Sequence, residues 1–296
     1  MRTYINDFLT EYDYPAEARE VLLGAYDTIL TSHKNTAFSG LLDTYAQGGT
    51  PDPAAILQKM KEISEAVGVH EYTGALLLLI CYSRQLKEYY KAAGLSEEIY
   101  KATMLDLKYK LMECRCVKNV WGTFVAPWLA GYFNLSRFAF GKLQFEIYTF
   151  KDEYHKNGLS LTPGSKVINV HIPRTGGRLD TESRKKSYAM AAEFFASRYG
   201  MDPIVFYCNS WLLFPKHREI MKEGSNLLSF IRDYDIYKSG EYEDYEQIWR
   251  LFDMDYTPDH SQLPADTSLR RAYIKMMDAG EKTGWGKGIY LYKPNV

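Results

Sequence analysis

Long apolar runs are the first thing missing from this chain. The longest, Ala75 to Tyr82 (ALLLLICY), leads directly into Arg84, Lys87 and Glu88, so it is far too short to span a bilayer. It reads instead as the centre of a buried helix. The first twenty residues, MRTYINDFLTEYDYPAEARE, hold neither a basic n-region nor an apolar h-region, and no signal peptide is expected. An excess of one charge is missing too. The net charge is -1, which gives no global field for nucleic acid or an anionic membrane.

Cysteine is scarce. The four residues Cys81, Cys114, Cys116 and Cys208 form no CxxC pair, and the expectation is free thiols in a cytoplasmic protein. The six histidines form no HExxH or similar pair, and Asp253 and Asp255 lack the glycine and terminal glutamate of a calcium loop. No metal is expected.

What is present fits one large or two ordinary domains in 296 residues. Good helix formers without interior proline run over Ala16 to Ser32, Pro53 to Val67, Glu71 to Ala92 and Glu97 to Cys116. Gly48-Gly49-Thr50-Pro51 separates two of these, and Gly94-Leu95-Ser96 supplies a C-terminal glycine followed by an N-cap serine. An aromatic connector from Trp121 to Phe133 follows. Alternation then takes over: Leu143, Phe145 and Ile147 against Gln144, Glu146 and Tyr148. The segment Lys156 to Lys166, with Gly158 and Pro163-Gly164, reads as a loop returning the chain antiparallel as the strand Val167 to Ile172. Further strands are expected at Ile204 to Leu213, Leu227 to Tyr234 and Ile289 to Tyr292, with helices after Arg178, from Pro215, around Trp249 and from Asp266-Thr267. The reading is α+β: a helical domain over 1–125 and a mixed sheet with flanking helices over 126–296.

The most informative stretch is Lys166 to Phe195, a β-branched strand, a short loop and an amphipathic helix with Tyr188, Ala191, Ala192 and Phe195 on one stripe. Arg174-Thr175-Gly176-Gly177-Arg178 places exposed backbone N–H groups and two guanidiniums near a helix N-terminus, which suits a phosphate or pyrophosphate. The alternative is a glycine turn with solvated arginines. Asp180 as N-cap, with Glu182 behind it, puts carboxylates at the same helix end.

Three side chains are candidates for catalysis. His171, at the end of its strand, titrates near neutrality and can act as a general base; the alternative is a structural histidine. Glu146, on the polar face of the neighbouring strand, can take a proton from an ammonium nucleophile, or else be an ion-pair partner of Lys142 or an arginine. Ser210, or Cys208 beside it, with His171 would make a hydrolase dyad, although the glycines of a nucleophile elbow are missing.

With these residues in place, the chain resembles a bacterial family of acyltransferase-domain proteins that pairs a helical N-terminal domain with a GNAT-like C-terminal domain. The resemblance runs through Lys142-Leu-Gln-Phe-Glu146, Val170-His-Ile-Pro-Arg174, Gly176-Gly177 with Leu179-Asp180, Cys208-Asn-Ser-Trp-Leu-Leu213, Asn226-Leu-Leu-Ser-Phe230, and Leu263-Pro with Asp266-Thr-Ser-Leu269. It implies a GNAT-like mixed, mostly antiparallel sheet, and an acyl-CoA donor whose pyrophosphate sits at Arg174 to Arg178. The loop departs from the usual Arg/Gln-x-x-Gly-x-Gly/Ala by shifting its glycines and adding an acidic cap. The implied activity is N-acyl transfer to an amine of a small molecule or peptide, with Glu146 or His171 as base and the helical domain covering the cleft. The rivals are a non-catalytic GNAT-derived module that binds a small anionic ligand or partner, and the Cys/Ser hydrolase.

Overall fold

The computed structural model describes residues 1–48, 52–175 and 177–293. The chain divides into two compact units, 1–138 and 139–296.

The first unit is helical: α1 (Arg2–Glu11), α2 (Ala16–Thr31), α3 (Asn35–Ala46), α4 (Pro53–Ala66), α5 (Glu71–Ala92), α6 (Glu97–Lys118) and the single turn α7 (Ala130–Phe133). The apolar run lies in α5, where every residue from Leu76 to Ser83 is buried, as expected of a helix that is hydrophobic on all sides. Its neighbour α4 approaches closely at Gly74, where a β-carbon would collide with Ser64 Oγ. Side-chain caps start the helices: Asp52 Oδ1 accepts from Ala54 N at 3.1 Å, and Ser96 Oγ from Ile99 N at 3.3 Å. Gly94 takes a positive φ of 66° behind α5. The Gly49 to Pro51 part of the expected linker lies outside the described residues. The aromatic connector folds into a 3-10 turn, Ala126–Leu129, and α7.

The second unit is built on a six-stranded sheet. Its strands are β1 (Arg137–Phe140), β2 (Leu143–Thr149), β5 (Lys166–His171), β6 (Val205–Ser210), β7 (Asp235–Glu241) and β8 (Gly284–Leu291), in the order β1-β2-β5-β6-β8-β7. A small hairpin, β3 (Tyr154–Lys156) with β4 (Leu159–Leu161), stands apart from it. The pairs β2–β5, β6–β8 and β7–β8 are antiparallel and β5–β6 is parallel. The sheet is therefore mixed and mostly antiparallel, with helices α8 (Thr181–Tyr199), α9 (His217–Ile220), α10 (Asn226–Arg232), α11 (Trp249–Phe252) and α12 (Ser268–Asp278) around it.

Alternation splits the sheet into two faces. On one, Phe145 and Phe206 pack against Tyr188 of α8, with ring centroids 6.2 and 5.0 Å away. Burying an aromatic side chain of this kind stabilises the fold by roughly 1.5–3 kcal/mol. On the other, Tyr148 and Tyr207 stack at 5.2 Å beside Phe150, Val167, Val205 and Ile289.

Three sequence expectations are corrected. Leu227 to Tyr234 is mainly the helix α10, because Ser225 Oγ caps Leu228 N at 3.2 Å and Leu228 and Ile231 fall on one buried stripe. The loop Lys156 to Lys166 contributes to a hairpin, held by the β3–β4 register and by Leu161 in the apolar cluster. The strand at Ile204 to Leu213 stops at Ser210 and turns into a 3-10 segment, Trp211–Leu213.

Candidate active site

Strand β2 runs against β5 with Gln144 opposite His171 and Glu146 opposite Asn169. Residues directly opposite share a face, so these four side chains form one polar patch on the sheet. It adjoins the tyrosine cluster and lies on the face away from α8. His171 Nε2 lies 2.8 Å from Glu146 Oε1, and Asn169 Nδ2 donates to the same oxygen at 3.1 Å. With Glu146 ionised, Nε2 carries the imidazole hydrogen. The 3.2 Å approach of Asn169 Nδ2 to His171 Nε2 then reflects two donors converging on one carboxylate oxygen. This tautomer leaves Nδ1 as the basic ring nitrogen. The side chains of His171 and Glu146 are 13% and 18% exposed, so the pair is shielded yet reachable.

Strands β5 and β6 pair at Ile168–Phe206 and Asn169–Tyr207, and among the described residues the parallel register goes no further. The last two residues of β5, Val170 and His171, therefore run beyond the pairing. A gap between parallel strands leaves backbone amides turned towards whatever enters it.

The chain leaves β5 as Ile172-Pro173-Arg174 and reaches α8 through Thr175, Gly177 and Arg178; Gly176 lies outside the described residues. At Gly177 a β-carbon would meet Lys142 Nζ, the movable end of a long side chain. That ammonium thus stands against the loop backbone. Arg178 is exposed and has no ion-pair partner among the described residues. Arg174 is different. Both of its terminal nitrogens engage Asp253, whose Oδ2 also accepts from Arg270 Nη2 at 2.6 Å. The sequence reading of Arg174 as a solvated loop arginine gives way to an ion pair, because the αL residue ending α11 presents Asp253 to it.

Asp180 caps α8 as expected, accepting from Ser183 N at 2.8 Å. That backbone hydrogen bond holds its carboxyl below the usual range. Arg184, in the first turn, is fully buried and reaches Leu179 O at 3.0 Å, Ser229 Oγ at 3.0 Å and Asp233 Oδ2 at 2.8 Å. The N-terminus of α8 is thereby fixed to α10.

The hydrolase dyad is not formed. Cys208 and Ser210 alternate with Tyr207 and lie on the α8 face, whereas His171 lies on the other. Burial pushes the Cys208 thiol far up, and Ser210 Oγ accepts from Leu212 N at 3.2 Å as the cap of the 3-10 turn. Sequence reasoning passed over Asn169, Arg184 and Arg270, and weighed Lys142 only as a partner of Glu146 and Asp253 only as a calcium-loop carboxylate. Asn169 carried a signal, lying two positions before His171 and so on the same face. Asp253, 79 positions from Arg174, carried none. No group of three or more potential metal ligands occurs among the described residues, and none of their helices is long and apolar enough to cross a membrane.

A mixed sheet whose parallel strands part beside a strand–loop–helix turn, preceded by a helical unit, defines the class as GNAT-like. Residues 137–290 match the model of the GNAT-like C-terminal domain, and residues 3–135 that of the N-acyltransferase N-terminal domain. The chain belongs to the GNAT-like acyltransferase family that combines these two domains. Comparison with curated proteins gives no match. Among solved structures, an acyltransferase in complex with decanoyl-CoA and teicoplanin is similar over 97% of this chain and 87% of its own, with a TM-score of 0.76 and 19% identity. An acyltransferase mutant in complex with octanoyl-CoA has the same coverage, a TM-score of 0.77 and 18% identity. A complex with CoA and 10C-teicoplanin gives 0.76 and 18%. At these identities the likeness is one of fold.

Proposed function

We propose that this protein transfers an acyl group from acyl-CoA to an amine of a small-molecule or peptide acceptor. The observation that carries this reading is the Glu146–His171 hydrogen bond at 2.8 Å, on the strand whose end parts from β6. The acyl-CoA complexes of the similar acyltransferases support the donor.

The thioester would lie in the gap between β5 and β6, with its carbonyl polarised by strand N–H groups. The amine nitrogen attacks the carbonyl carbon, and His171 Nδ1 takes the proton that the nitrogen loses. The C–N bond forms, the C–S bond breaks, and the proton passes to the departing thiolate, giving an amide and free CoA. Glu146 holds the imidazole tautomer and balances the charge of the imidazolium. The pyrophosphate would sit at Thr175, Gly176, Gly177 and Arg178 with Lys142 beside them, and Arg174 would join it by exchanging Asp253 for phosphate.

The test is thiol release from acetyl-, octanoyl- and decanoyl-CoA in the presence of amino sugars and lysine or N-terminal peptides. Amine-dependent release that falls about 10²- to 10⁴-fold in His171→Ala supports the reading. Release without amine dependence moves thioester hydrolysis ahead, and no release with any donor moves the non-catalytic anion-binding module ahead.

A further inference from the structure

Within the helical unit, α3, α4, α5 and α7 line a partly open cavity of about 260 Å³. Ile56, Leu57, Leu78, Leu79, Ala130 and Phe133 supply much of its wall, and no charged residue among the described ones lines it. Ile56 and Leu57 are half-buried at its rim, whereas Leu78 is fully buried. The polar side chains in the wall are few, and most of them are engaged. Tyr45 OH donates to Phe133 O at 3.0 Å, Tyr82 OH to Leu41 O at 3.1 Å, and Asn134 Oδ1 accepts from Ser136 N at 3.1 Å. An occupant therefore meets mainly hydrocarbon and ring surface, with the Asn134 amide at an exposed edge.

We infer that this cavity is a binding site for an aliphatic chain. Apolar cavities take up hydrocarbon. One of about 150 Å³ accepts the six carbons of benzene, so about 260 Å³ corresponds to a chain on the order of ten carbons. A charged or strongly polar ligand is excluded because burying it here leaves it unpaired. The cavity walls come from residues 45–134 of the helical unit, and the catalytic candidates belong to the sheet unit.

The full-length protein is titrated by calorimetry with 1-hexanol, 1-octanol and 1-decanol, and with octanoate and decanoate. Affinity should rise roughly three- to fourfold per methylene and level off near ten carbons. Each alcohol should bind at least as tightly as the carboxylate of the same length. Ala130→Phe and Ile56→Trp fill the cavity from two sides and should each weaken 1-decanol binding at least tenfold without loss of thermal stability. His171→Ala should leave it unchanged, which separates failure of this site from failure of the transferase reading. No binding of any alcohol, no dependence on chain length, or unaltered 1-decanol affinity in both well-folded cavity variants overturns the inference.

Discussion

Glu146 and His171 are diagonal neighbours across the β2–β5 pair, two positions removed from direct opposition, and their side chains meet at 2.8 Å. Diagonal neighbours of this kind are within reach only of longer side chains. On this geometry Glu146 positions the imidazole and does not itself take the substrate proton. Glu146→Gln preserves an oxygen that can accept from Nε2 and loses the charge. Its turnover should fall less than that of His171→Ala, by roughly tenfold, with little change in the Michaelis constant for acyl-CoA. Steady-state thiol-release kinetics on both variants checks this. A Glu146→Gln loss equal to that of His171→Ala would make Glu146 the base.

The two loop arginines should behave differently. Arg178→Ala should weaken CoA binding by about 1.5–3 kcal/mol, the value of a charge-assisted hydrogen bond, or on the order of ten- to a hundredfold in Kd. Asp253→Asn releases Arg174 from its bidentate partner and should tighten CoA binding. Titration calorimetry with free CoA reads both, and tighter binding in Arg178→Ala would remove that residue from the phosphate site.

Arg184→Met should be costly for the fold. Removing the fully buried guanidinium leaves Asp233, Ser229 and the Leu179 carbonyl without their donor, and breaking a buried ion pair costs about 3 kcal/mol. The urea midpoint should drop accordingly. A midpoint within the error of the wild type would show that α8 is held by its aromatic face alone.

His217 should make the protein acid-sensitive. It is fully buried, its Nε2 accepts from Tyr273 OH at 2.6 Å, and Nδ1 donates to Leu212 O at 3.3 Å. Burial holds this imidazole down to about 4, against about 6.5 in the unfolded chain. The unfolded state therefore binds more protons between these values. Stability is complete above pH 6.5 and is lost as the pH falls towards 4, by roughly 3 kcal/mol at most. Urea unfolding at pH 7.5 and 5 should show a smaller difference in His217→Gln than in the wild type. Equal differences in the two proteins would assign the acid loss to other groups.

Thiol chemistry offers a direct check on the discarded dyad. Cys116 is exposed, whereas Cys81, Cys114 and Cys208 are buried. Burial pushes the Cys81 thiol up to about 12 and that of Cys114 to about 11, and only a thiolate reacts quickly. A disulfide reagent should titrate one thiol in the native protein and four in urea. Rapid native labelling of Cys208 would reopen the dyad.

The sequence by itself determined what local pattern can carry. The burial of α5 follows from its unbroken run Ala75 to Tyr82. The start of α6 follows from Ser96 and that of α8 from Asp180, since a cap is a contact over two or three residues. The β2–β5 pairing follows from alternation and a turn, and with it the meeting of Glu146 and His171. A period of two fixes a face, and an antiparallel return fixes the neighbour. What tertiary structure alone decided lies across longer separations. Leu227 to Tyr234 holds apolar residues that suit a strand as well as a helix, and packing beneath Ser225 selected the helix. Cys208 and Ser210 are polar and close to His171 in the sheet, but the side of the sheet on which α8 packs put them out of its reach. Arg174 meets Asp253 because the chain after α11 turns back to the loop, and no periodicity in either segment encodes that return.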